Sequence, residues 1–83
     1  MKEVIMAISV DKRSTSAAAL QETLTKYGEL IHFRLGMHNL HSEEKKENGR
    51  ILLQVIGADE KIQALQNDLA ALDLVKVQSM ELE

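Results

Sequence analysis

Four runs of two-residue alternation and two helical stripes follow one another in the order strand, helix, strand, strand, helix, strand. That order leaves the chain few ways to bury its apolar residues. From Val4 to Val10 the even positions Val4, Met6, Ile8 and Val10 are all apolar, the signature of a strand. Asp11-Lys12-Arg13-Ser14-Thr15-Ser16 interrupts it with capping residues, after which Ala17, Leu20, Leu24 and Tyr27 recur at helical spacing and Gly28 is the expected C-terminal cap. Ile31, Phe33, Leu35 and Met37 then alternate with His32, Arg34, Gly36 and His38. Beyond a charged stretch and the turn signal Asn48-Gly49, Ile51, Leu53 and Val55 alternate again. Asp59 is the expected N-cap of a second helix with the stripe Ile62, Leu65, Leu69 and Leu72, and Val75 and Val77 open a last strand running towards Leu82.

Such a βαββαβ order is satisfied by an antiparallel sheet with both helices on one face and right-handed crossovers, giving strand order 4-1-3-2. The expected fold class is therefore α+β, a ferredoxin-like βαββαβ two-layer sandwich. With 83 residues, no proline and no low-complexity tract, the chain is expected to be a single domain over 1–83. A core of this size seldom supplies more than roughly 3–5 kcal/mol, so self-association as a dimer or tetramer is expected on physical grounds alone.

Absence of cysteine excludes disulfides, thiolate metal sites and cysteine nucleophiles. The net charge is −3 with the ten basic residues scattered, which argues against direct nucleic-acid binding. Phe33 and Tyr27 are the only aromatic residues, too few for a base-stacking platform. No stretch approaches the ~18 apolar residues of a membrane span, so a cytoplasmic location away from membranes is expected.

The sheet face turned away from the helices is expected to gather Ile5, Ala7, Leu52 and Ile56 with His32, Arg34, Gln54, Lys76 and Gln78. An apolar centre with a polar rim marks a contact surface. Ile5, Ala7, His32, Arg34, Leu52, Gln54 and Ile56 are accordingly the expected interface residues, with Arg34 pairing across it.

Nearly the whole chain resembles the iron-only hydrogenase system regulators, small proteins similar to ACT domains. The likeness rests on the opening strand Val4 to Val10, on Ile31-His32-Phe33-Arg34-Leu35-Gly36 entering a charged loop, on the strand Ile51 to Ile56, and on the Asp59 helix with Val75-Lys76-Val77. It implies an ACT-like fold, association through the sheet, and a non-catalytic regulatory role with a small ligand at a subunit interface. The turn Asp11 to Ser16 holds no glycine, where amino-acid-binding ACT domains commonly place one.

Within that frame, Asp11, Lys12, Arg13, Ser14 and Thr15 form a candidate site for a small anionic metabolite, since a helix start attracts anions; the simpler reading is an ordinary helix cap with solvated cations. His32, His38 and His41, beside Glu43 and Glu44, are candidate ligands for zinc or nickel. Nickel-responsive repressors build such a site on an ACT-like sheet, but with closely spaced strand histidines and a cysteine, and here position 34 is arginine. Binding of another protein along the edge of the second strand is a further alternative. Nothing assembles a nucleophile beside a base, so no catalytic residue and no cofactor are expected.

Overall fold

A computed structural model of the chain describes residues 1–11, 14–37 and 49–82. Its elements are β1 (Lys2–Val10), α1 (Ala17–Lys26), a single 3₁₀ turn (Gly28–Leu30), β2 (Ile31–Met37), β3 (Gly49–Gly57), α2 (Asp59–Ala70) and β4 (Val75–Glu81). The sheet runs β2-β3-β1-β4 with every neighbouring pair antiparallel, which is the expected order 4-1-3-2 read from the other edge. It is a ferredoxin-like sandwich.

Alternation along the central strands decides which residues form the core. Val4, Met6 and Ile8 of β1 stand in register with Val55, Leu53 and Ile51 of β3, so their side chains share the face that the helices cover. The helical stripes meet them there: Leu20 and Leu24 from α1, and Ile62, Leu65 and Leu69 from α2, are all buried, as are Leu30 and Val75. Gly57 closes β3 against this layer, where a Cβ would lie 2.7 Å from Leu30 Cδ2, so the absence of a side chain seats Leu30.

Both helix boundaries differ from the sequence expectation. Ala58, not Asp59, occupies the cap position of α2: its carbonyl accepts the N–H groups of Lys61 at 3.1 Å and Ile62 at 3.0 Å. Asp59 is instead the first helical residue, and its carboxylate meets Lys2 Nζ at 2.8 Å. Its negative charge still suits the positive end of the helix. Gly28 is not a left-handed cap, since no glycine has a positive φ. The chain leaves α1 through the 3₁₀ turn, with Leu30 N–H donating to Tyr27 O at 2.9 Å.

Leu74, between α2 and β4, takes the left-handed conformation instead, at φ 57°. An L-residue there costs about 1–2 kcal/mol, part of which glycine recovers after its larger unfolded-state entropy is subtracted. Leu74→Gly is therefore expected to stabilise the fold by about 0.5–1 kcal/mol, read as a melting temperature higher by a few degrees. An unchanged or lower melting temperature contradicts this.

A bulge in β2 overturns one expectation. Ile31 pairs with Val55, but the next pair is Phe33 with Gln54, so β2 advances two residues while β3 advances one. A one-residue shift turns every later side chain to the opposite face. Phe33 and Leu35, in register with Gln54 and Leu52, therefore stand on the open face, while Arg34, in register with Leu53, stands on the helix face. There its Nη2 donates to Gln21 Oε1 of α1 at 3.0 Å. Arg34 is thus removed from the expected interface, and His32 lies within the bulge without a register partner.

Candidate functional site

Register across the four strands sets out the open face in rows. One row is Phe33, Gln54, Ile5 and Met80, the next Leu35, Leu52, Ala7 and Gln78, and a third brings Arg50, Ser9 and Lys76 together. Beyond the first row Ile56 faces Glu3, whose Oε2 accepts Gln54 Nε2 at 2.9 Å. Of the expected interface residues, Ile5, Ala7, Leu52, Gln54 and Ile56 share this face, and the bulge adds Phe33 and Leu35. Phe33 is 57% exposed, Leu35 44% and Met80 63%. Large side chains this open are costly in water; Phe33 and Leu35 adjoin each other on β2, and Met80 stands on β4 at the opposite edge of the sheet.

One end of the face is basic. Arg50 and Lys76 flank Ser9 on the two strands beside β1, and with Ala7, Ile8 and Gln78 they line a concavity of about 290 Å³. A second hollow of about 300 Å³ opens on the helix side, lined by Val10, Leu20, Gln21, Arg34 and Ile51 and also by Arg50, which borders both hollows. Its walls are mainly apolar, and Arg34 among them donates to Gln21.

At the β1–α1 turn the hydrogen bonds are structural. Ser14 N–H donates to Asp11 O at 2.8 Å, while the Ser14 hydroxyl accepts Ser16 N–H at 3.0 Å and donates to Asp73 O at 2.8 Å. Asp11 N–H reaches Leu74 O at 2.9 Å. Ser14 thus ties the start of α1 to the connection that follows α2. Lys12 and Arg13 lie outside the described residues, so the anion site expected at Asp11 to Thr15 is represented here by Asp11, Ser14 and Thr15 alone.

His38 and His41 also lie outside the described residues, as do Glu43 and Glu44. Among the described residues no three His, Cys, Asp or Glu side chains come together as a metal set. No described helix is long and apolar enough to cross a membrane.

Sequence reasoning missed a polar cluster that joins the helices. Tyr27 Oη donates to Asp68 Oδ2 at 2.6 Å, and Lys26 Nζ stands 3.5 Å from the same oxygen and 5.2 Å from the Tyr27 ring centroid. Tyr27 read only as the last member of the α1 stripe, and nothing in the spacing tied it to Asp68. The hydrogen bond from Tyr27, aided by Lys26, holds the Asp68 carboxyl below its ordinary range, and the same bond pushes the Tyr27 phenol up. A depressed carboxylate stabilises the fold above its ordinary pKa, and this contribution is lost as pH falls through the folded-state value. In Tyr27→Phe the Asp68 carboxyl should titrate closer to the ordinary aspartate range by NMR. An unmoved titration would mean that Lys26 alone sets it.

No family model matches the chain, and no curated protein matches it. Its architecture is nevertheless shared with solved structures. The uncharacterized protein TM1266 from Thermotoga maritima superposes with a TM-score of 0.83 at 23% identity, over 99% of this chain and 98% of that one. A PII-like signaling protein from Thermus thermophilus, TTHA0516, gives 0.61 at 11% identity over 99% and 90%. The apo form of CPII, a nitrogen regulatory PII-like protein from Thiomonas intermedia K12, gives 0.55 at 15% identity over 99% and 92%. CPII is also known bound to ADP, AMP and acetate. Similarity at these identities establishes a common fold.

Proposed function

We propose that the chain is a non-catalytic, cytoplasmic regulatory module that binds a small ligand and works as a homo-oligomer joined through the open face of its sheet. The observation that carries this reading is the exposure of Phe33 and Leu35 on β2 and of Met80 on β4, flanking half-buried Ile5, Leu52 and Ile56 on the strands between them. A small core gains most from covering such a face. The occupant is a second copy of the chain, because the two central rows carry no charged side chain. A two-fold contact sets the same patch against itself, and an uncharged patch does so without like-charge repulsion.

Fold-level analogy supports the regulatory part: the sandwich that CPII uses with ADP, AMP and acetate is the one found here. The segments similar to iron-only hydrogenase system regulators make a role in that setting the finer form of the proposal. Sedimentation velocity at micromolar concentration tests the assembly, with a dimer or larger species expected and a monomer throughout overturning it. A thermal-shift screen of nucleotides, phosphates and carboxylic acids tests the ligand. No stabilisation by any of them overturns the ligand-binding part.

A further inference from the structure

The basic end of the open face is built differently from the rest. Register sets Arg50 opposite Ser9 and Ser9 opposite Lys76, so a guanidinium and an ammonium rise on either side of a serine hydroxyl. Strands lie about 4.8 Å apart, which places the two cationic residues roughly 10 Å apart at their Cα atoms, a gap their long side chains close. Gln78 stands one step along β4, and Ala7 and Ile8 complete the wall of the concavity.

Neither cation has a carboxylate partner among the described residues. Ion pairs there are made by Lys2, Lys26 and Lys61, and Arg50 Nη1 donates to Gly49 O at 3.0 Å. Glu3, the acidic group of the same face, lies at its opposite end and is held by Gln54. In a chain of net charge −3, two cations without a carboxylate partner among the described residues, set around one hydroxyl, run against the overall charge. Solvated surface cations alone would carry no such meaning; here they converge with a hydroxyl and an amide on one hollow.

We infer that Ser9, Arg50, Lys76 and Gln78 form a binding site for the oxyanion group of a small metabolite, phosphate or carboxylate. The guanidinium supplies a planar two-donor fork, the ammonium a compact charge, and Ser9 a hydroxyl donor between them. Gln78 offers an amide to the body of the ligand, and Ala7 an apolar wall. At about 290 Å³ the hollow sits at the lower end of small-molecule pockets, which fits a metabolite of a few carbon atoms better than an enclosed nucleotide. The inference rests on the ligand-binding reading above and supplies its ligand class and place.

The test is an amide NMR titration of the full-length ¹⁵N-labelled chain with inorganic phosphate and, separately, with malonate, at constant ionic strength set by chloride. Saturable shifts centred on Ser9, Arg50, Lys76 and Gln78 are expected in at least one series, and the series that responds identifies phosphate or carboxylate as the source. Arg50→Gln and Lys76→Gln should each weaken binding about tenfold, while Lys76→Arg, which keeps the charge, should retain most of it. Absence of saturable shifts, shifts centred instead on Ser14 to Ala19, or unaltered binding in Lys76→Gln would each overturn the site. Sedimentation of the same samples separates the two ideas: a monomer that binds keeps this site and removes the assembly, and an oligomer that binds neither anion does the reverse.

Discussion

Leu65→Ala is expected to lower the stability of the fold by about 2–5 kcal/mol. Leu65 is fully buried at the middle of α2, within the cluster that includes Met6, Leu53, Val55 and Leu69. Truncation removes apolar surface from the interior and leaves a cavity that an antiparallel sheet and two short helices cannot collapse without losing their register. Denaturant unfolding at one fixed protein concentration reads the effect, because an oligomer's apparent stability changes with concentration. A lower midpoint with an unchanged slope is the expected signature. A loss well under about 1 kcal/mol would mean that α2 does not seat Leu65 on the sheet.

Leu52→Asp is expected to weaken the subunit contact by at least about a hundredfold, since it buries a carboxylate in the middle of the open face, where Arg50, two residues along β3, offsets only part of the desolvation cost. Leu52 stands in register with Leu35 on one side and Ala7 on the other, and no cation adjoins it in that row. Phe33→Asp should act in the same direction. Arg34→Ala serves as the control, because the bulge places Arg34 on the helix face against Gln21, and its loss should leave the oligomer intact. Sedimentation of the three variants decides: an unchanged oligomer in Leu52→Asp and Phe33→Asp would show that the subunits meet elsewhere, and dissociation by Arg34→Ala alone would move the contact to the helix side.

Much of the fold was legible because local periods carry it. Val4, Met6 and Ile8, and likewise Leu53 and Val55, sit in the core where their alternation placed them, and both helical stripes point inward as spaced. The helix ends were read one or two residues off, since Asp59 suits the cap position and the first turn almost equally well. The open face was legible in β1, β3 and β4 and misread in β2. Alternation of Ile31, Phe33 and Leu35 with His32 and Arg34 looks the same whether or not a residue is inserted between the paired positions.

The basic hollow was out of reach for a related reason. Arg50, Ser9 and Lys76 are far apart in the chain, and only the registers of β1 with β3 and of β1 with β4 bring them into one row. By itself the sequence determined the element order, the strand order and most of the buried residues, because each follows from spacing over a few residues and from the handedness of crossovers. Tertiary structure alone decided which face β2 shows beyond its bulge and which polar groups share an end of the sheet. Both depend on hydrogen-bond pairing between distant strands, and a single inserted residue reverses every side chain after it.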